Sequence, residues 1–370
     1  MIRLAAPDID DADLAAVARV LRSGHLVQGQ EVAAFEAELA SKVGSRFAIA
    51  LNSCTSALHL GLLALGIRQG DEVAVPAYSW PATANVVVLC GATPVFIDVD
   101  PDSFALQPDL FEAQLRQRSQ MKAVIPVHPF GAMASMERIC EISAQHQVAV
   151  LEDAACALGA VRGGVPAGRW GVMGCYSFHP RKAITTGEGG AVVTDDEELC
   201  RKVRMLRNHG QDPDSARPDF VAAGFNLRLT ELQAAVGRTQ LSKLERLIDS
   251  RRVMARRYAE LLSDSTIRTP QPRSVREHVY QSFVVQLPPG ADAGRDDVIA
   301  AMRARGIEAA IGTYHMPLLR YYSTRFGFTR GDFPVTDAVA SGAIALPLHA
   351  HLTADEQQRV VDTLRAVTRL

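Results

Sequence analysis

Through the first two thirds of the chain, short apolar runs alternate with stretches whose apolar residues recur at helical spacing. The runs predict strands at 47–51, 72–75, 95–99, 123–127, 148–151, 175–178 and 191–194. Helices are predicted between them at 56–65, 82–90, 109–117 and 135–145, and a further helix at 197–207 follows the last strand. Strands and helices in alternation predict an α/β fold, with a mostly parallel central sheet flanked by helices on both faces. Ligands in such sheets bind just beyond the carboxyl ends of the strands.

From Thr230 the pattern changes. A long charged helix is expected over 231–262, with Leu232, Val236, Leu241, Leu244 and Leu247 at helical spacing. Residues 269–276 are rich in proline and charge and read as a linker. A strand at 280–286, a helix at 296–305 and a C-terminal helix at 353–367 complete the pattern. The expected division is a large domain over 1–240 and a smaller α+β C-terminal domain over 241–370.

The 370 residues are enough for a sizeable core, and with 48% hydrophobic and 22% charged residues they have the profile of a soluble globular protein. A formal net charge of −2 offers no basic excess for nucleic acid, although a local site for a small anion needs none. The six cysteines (54, 90, 140, 156, 175 and 200) include no C-x-x-C pair, and no histidine shows metal-ligand spacing. They read as reduced thiols of a cytoplasmic protein. The N-terminus lacks a signal-peptide core, and the apolar stretch near 86–90 is too short to span a bilayer.

Candidate chemistry falls at strand ends. Lys182 lies between the apolar run 172–178 and a glycine-rich turn, where desolvation would lower its pKa and free a nucleophilic amine. The strand 47–51 leads through Asn52-Ser53-Cys54 into a helix start at Thr55 and Ser56, a ready phosphate site of free amides and hydroxyls. Glu152 and Asp153 end another strand, and alternation sends them to opposite faces. On chemistry alone either acid could hold a ring nitrogen protonated. Trp80, just past a third strand, offers a flat stacking surface. No Walker A motif occurs, and no G-x-G-x-x-G follows a strand. A ligand with a phosphate, a flat ring, a basic ring nitrogen and an aldehyde uses all four features, and pyridoxal 5′-phosphate (PLP) is that ligand.

The chain resembles the DegT/DnrJ/EryC1/StrS family of sugar aminotransferases, which have the aspartate aminotransferase fold (PLP fold type I). The resemblance runs from residue 23 to the C-terminus. It is carried in order by GQEVAAFEAELA (29–40), NSCTSALHLGLLALG (52–66), GDEVAVPAYSWPATAN (70–85) and GATPVFIDVD (91–100). EDAACALGA (152–160), SFHPRKAITTGEGGAVVT (177–194), RNHG (207–210) and GFNLRLTELQAA (224–235) continue it.

The resemblance implies that Lys182 forms the Schiff base with PLP and shuttles the proton. It implies that Asp153 faces the pyridinium nitrogen, that Glu152 points away and that Trp80 stacks on the ring. Thr55, Ser56 and Ser177 are implied to cradle the phosphate. Asn226 is implied to reach the phosphate in the neighbouring subunit of a homodimer with shared active sites. Cys156 stands where relatives often carry Gln or His, and it is a weak hydrogen-bond partner at that edge of the ring. His179 and Arg181 beside the lysine, with Tyr314 and His315, are candidate substrate contacts. The implied activity is transfer of an amino group from glutamate or glutamine to a keto sugar, nucleotide-linked, through pyridoxamine 5′-phosphate. The alternative is a PLP-binding regulatory or sensor protein without turnover. No metal, nucleic acid or membrane is expected.

Overall fold

The computed structural model describes residues 1–291 and 293–369. At its centre is a 7-stranded sheet. Its strands are β1 (Phe47–Leu51), β2 (Glu72–Pro76), β3 (Thr93–Ile97), β4 (Met121–Val124), β5 (Ala149–Asp153), β6 (Met173–Ser177) and β7 (Gly190–Thr194). They lie in the order β1-β7-β6-β5-β4-β2-β3. The pairings β3–β2, β2–β4, β4–β5 and β5–β6 are parallel, whereas β7 runs against both β6 and β1. The sheet is therefore mostly parallel, as the alternating pattern predicts. The carboxyl ends of β1, β2, β5 and β6 all open on one edge.

Side-chain parity explains why these strands read as unbroken apolar runs. Ala48, Ala50, Val124, Val150, Tyr176, Ala191 and Val193 pack on one face of the sheet. Ile49, Leu51, Ala123, Leu151, Cys175 and Val192 pack on the other. Both faces are covered, so neither parity needs to be polar. The first face lies under α2 (Gln30–Val43), α5 (Pro108–Leu115), α6 (Met136–His146) and α8 (Glu231–Ser242). The second lies under α3 (Cys54–Ala64), α4 (Ala82–Leu89) and α7 (Glu197–Arg207). No helix among the described residues is long and apolar enough to cross a membrane.

The long helix expected over 231–262 is two helices, α8 and α9 (Leu244–Leu261), which meet at Lys243. Apolar spacing continues across the junction, so the pattern does not reveal the break. The Lys243 ammonium reaches Asp10 at 2.6 Å and Asp13 at 2.7 Å, tying the junction to α1 (Asp11–Ser23). Helix α1 is closed at its start by a reciprocal Asp10–Asp13 capping box. Neither α1 nor α2 stood out as a helix in the sequence pattern.

Beyond α9 a 3-stranded antiparallel sheet is formed by β8 (Phe283–Gln286), β9 (Ala310–Ile311) and β10 (Ala343–Leu346). Strand β8 begins three residues later than expected, because Tyr280 holds a left-handed φ of 49°. Helices α10 (Arg295–Ala304) and α11 (Ala354–Thr368) share an apolar core with this sheet and with Tyr258 of α9. A two-residue antiparallel ladder pairs Tyr314 with Ser79 and His315 with Tyr78. It brings the C-terminal part of the chain to the carboxyl edge of the large sheet.

Candidate active site

The start of α3 sits directly after β1. Ser53 caps the helix, accepting the Ser56 amide at 3.1 Å, and the Ser56 hydroxyl donates to Asn52 Oδ1 at 2.7 Å. Among the described residues no acceptor faces the amides of Cys54 and Thr55. These two donors and the Thr55 hydroxyl point to the sheet edge, where the helix dipole favours an anion. Gly190 keeps the neighbouring strand close, since a Cβ there would lie 2.3 Å from the Cys54 nitrogen. Ser177, at the end of β6, accepts the His179 amide at 3.4 Å and keeps its own proton to donate.

Glu152 and Asp153 diverge as alternation requires. Glu152 is fully buried away from the edge and accepts the amides of Gly168 (2.8 Å), Trp170 (2.6 Å) and Gly171 (2.8 Å). His128 Nε2 lies 3.0 Å from the same carboxylate. Because His128 Nδ1 accepts the Ala134 amide, Nε2 carries the proton and donates it to Glu152. Asp153 is also buried, but it faces the cavity at the strand ends. It accepts the Ala155 amide at 3.2 Å through Oδ1 and the Thr83 hydroxyl at 2.9 Å through Oδ2. Burial raises its pKa, and the hydrogen bonds from Thr83 and Ala155 and the charges of Lys182 and His128 only partly counter this.

Lys182 lies in the loop that joins β6 to its antiparallel neighbour β7. The loop folds inward: the Phe178 carbonyl accepts the Thr186 amide at 3.0 Å and the Thr185 hydroxyl at 2.9 Å. Lys182 Nζ lies 3.0 Å from Cys156 Sγ. Here the sequence expectation is corrected, because the pKa of Lys182 is raised rather than lowered. Burial presses it down, but the charge and hydrogen bond of Cys156, with Cys54 and Asp153 nearby, outweigh burial. An acidic environment that the sequence scatters over 54, 153 and 156 decides the sign.

One cavity of about 470 Å³ gathers most of the residues singled out in the sequence. Thr55, Trp80, Asp153, Cys156, Ser177, His179, Arg181 and Lys182 all line it. Ser56 lies behind the Ser53 cap and contributes through the helix start. Tyr314 is not in the lining but packs edge-on against Trp80, with ring centroids 5.4 Å apart. His315 turns from the cavity to Asp337, 3.3 Å away, and burial lowers its pKa. Asn226 is exposed on the segment that bridges to Asn208 and does not line this cavity.

Sequence reasoning missed several contributors. Gln281 and Ser282 come to the cavity from the C-terminal part of the chain, where no local motif marks them, and Thr313 comes from beside the candidate Tyr314. Arg251 is buried and donates to the carbonyls of Gln281 (3.1 Å) and Lys182 (3.5 Å), joining that part to the lysine loop. Thr83 was inside one of the motifs above, and its only signal was a hydroxyl near the start of a mostly apolar helix.

The donor set fits PLP. Free amides at the start of α3 and the Ser177 hydroxyl suit its phosphate, the buried Asp153 suits a protonated ring nitrogen, and the Lys182 amine suits its aldehyde.

The comparisons with known proteins agree. The profile of the DegT/DnrJ/EryC1/StrS aminotransferase family matches residues 7–365. The chain is 37% identical to GDP-perosamine synthase of Caulobacter vibrioides, covering 92% of this chain and 90% of that protein. It is 35% identical to a pleiotropic regulatory protein of Geobacillus stearothermophilus, covering 93% and 91%. Among solved structures, Spr1654 of Streptococcus pneumoniae in its PMP form superposes with a TM-score of 0.95 at 28% identity, covering 100% and 98%. The same protein is known in a PLP form, with a TM-score of 0.93. The chain belongs to the DegT/DnrJ/EryC1/StrS family of PLP-dependent sugar aminotransferases.

Proposed function

We propose that this enzyme transfers an amino group from glutamate or glutamine to a nucleotide-linked keto sugar. The observation that carries the reading is the convergence of Lys182, Asp153 and the open start of α3 on one cavity. When bound, PLP supplies an aldehyde that takes up the amino group and a ring that accepts electron density from the reacting carbon. The Cys54 and Thr55 amides and the Thr55 and Ser177 hydroxyls bind the phosphate, with Ser56 holding the helix start. Asp153 keeps the ring nitrogen protonated, Trp80 stacks on the ring, and Cys156 borders it.

Lys182 is the base. Its Nζ would move the proton at Cα of the amino donor and, in the reverse sense, at the carbon of the sugar that gains the amino group. Arg181 supports a nucleotide-linked acceptor, because it lines the cavity and has no carboxylate partner among the described residues, leaving it free for a diphosphate. His179 stands beside it. Tyr314 acts from the rim through Trp80, whereas His315 is turned to Asp337 and makes no contact with the acceptor. The protein works as a homodimer in which Asn226 reaches the partner's cofactor phosphate. Residues 241–370 form a smaller α+β domain beside the large PLP-binding one.

Adding glutamate or glutamine to the PLP-loaded protein tests the reading. Conversion of the visible PLP absorbance to that of pyridoxamine 5′-phosphate is expected, with stoichiometric release of the oxo acid. The name of the Geobacillus relative favours a second reading, cofactor binding for regulation without turnover. No conversion with any amino donor selects that reading. For the dimer, Lys182→Ala chains mixed with Asn226→Asp chains should regain one intact site in each hybrid. No recovery on mixing counts against a shared site.

A further inference from the structure

The pair of buried hydroxyls behind Asp153 has a fixed direction. Thr83 is fully buried, and its Oγ1 lies 2.9 Å from Asp153 Oδ2 and 3.3 Å from Ser79 Oγ. An ionised carboxylate accepts and cannot donate, so Thr83 spends its only proton on Asp153. The contact with Ser79 must then run the other way, Ser79 donating to Thr83 Oγ1. Thr83 belongs to the first turn of α4, and Ser79 belongs to the ladder with Tyr314. The relay therefore links Asp153 to the backbone ladder that carries the C-terminal part of the chain.

We propose that Thr83 is a positioning residue for the reaction, which holds the Asp153 carboxylate in its charged form and correct orientation through a Ser79–Thr83–Asp153 hydrogen-bond relay. The inference rests on the proposed role of Asp153 at the ring nitrogen. Burial of Asp153 works against the charged form, and among the described residues two hydrogen bonds reach its carboxylate oxygens, one from the Ala155 backbone amide and one from Thr83. Among the described residues Thr83 is thus the one side chain that hydrogen-bonds the carboxylate. The other groups facing Asp153 are Lys182, His128, Cys54 and Cys175. Lys182 changes its own charge as it moves the proton, so it cannot supply constant support. Hydrogen bonds to charged groups contribute more than neutral ones, and burial strengthens them.

The test uses the PLP-loaded enzyme with Thr83→Val, which keeps the shape and removes the hydroxyl, Thr83→Ser, which restores it, and Asp153→Ala as reference. Three quantities are read: kcat against KM, the pH titration of the bound cofactor's absorbance, and the dissociation constant for PLP. Thr83→Val should lower kcat about tenfold or more with KM nearly unchanged, and should shift the absorbance titration to lower pH. Thr83→Ser should return both to within about twofold of the parent. If Thr83→Val fails to fold, Thr83→Ala is read in its place.

Loss of activity and a shifted titration in Asp153→Ala, with a parental profile in Thr83→Val, would overturn the role of Thr83 and leave that of Asp153 standing. An Asp153→Ala variant with parental activity would overturn the underlying reading itself. If Thr83→Ser is as impaired as Thr83→Val although it keeps the hydroxyl, packing at the site rather than the hydrogen bond is responsible, and the relay is rejected.

Discussion

Lys182 Nζ and Cys156 Sγ are 3.0 Å apart, and this contact works to raise the lysine's pKa against its burial. Burial alone would lower the lysine pKa, and Cys156 is the leading cause of its rise instead. Cys156→Ala should therefore move the pKa of Lys182 down. The rate at which cofactor-free protein captures PLP should reach its maximum at lower pH in the variant, because capture needs the neutral amine. The sign for stability follows. A raised folded pKa contributes stability that is fully present below the ordinary lysine pKa of 10.5 and is lost as pH rises through the folded value. Parent and variant should converge in alkaline melts, and identical capture profiles would refute the assignment.

Asp153→Asn separates stability from function. The folded pKa of Asp153 is raised by burial, so its proton favours the folded state. That contribution is complete at pH below the usual carboxylate value and is lost as pH rises through the raised value. A neutral asparagine escapes the loss. The cofactor-free variant should melt a few degrees higher than the parent at neutral pH, while kcat of the loaded enzyme falls by about 10²-fold or more. A lower melting temperature together with normal kcat would contradict both halves.

Gly190→Ala tests the phosphate cradle without touching a polar group. The added Cβ would meet the Cys54 nitrogen at 2.3 Å and Ser53 atoms just beyond. The start of α3 must give way, at a cost of about 1–3 kcal/mol. PLP affinity measured by fluorescence titration should fall about tenfold or more, because the free amides no longer converge. Unaltered affinity would show that the cradle lies elsewhere.

Glu152→Gln probes the acid that points away from the cavity. Its carboxylate accepts three loop amides and the His128 proton, and an amide nitrogen would face donors in one of these places. A loss of about 1–3 kcal/mol in denaturant unfolding is expected, with turnover per folded molecule within about twofold of the parent. A selective loss of kcat without loss of stability would give Glu152 a direct part in the chemistry.

The mostly parallel sheet and its carboxyl-edge site were legible because buried strands show as apolar runs and their polar ends stand out. Asp153, Thr55, Trp80 and Lys182 each follow such a run and each line the cavity. Thr83 was not legible, since its value lies in one hydrogen bond to a residue 70 positions away. Gln281 was hidden because it meets the lysine loop only in the fold, where its amide donates to the Arg181 carbonyl 100 positions away. The raised pKa of Lys182 depends on the distance to Cys156, which composition around the lysine does not encode. The break at Lys243 was concealed because both helices keep the same apolar spacing across it.

Two adjacent carboxylates on β5 have opposite employment only because a strand turns successive side chains to opposite faces. A slip of that strand by one residue would send Glu152 to the cofactor cavity and Asp153 to the 168–171 loop. The longer side chain would crowd the ring site, and the shorter one would fall short of the loop amides. The cofactor chemistry proposed for Asp153 is thus written in the parity of one strand, and the Glu152 contacts that lock this parity would protect it from a distance.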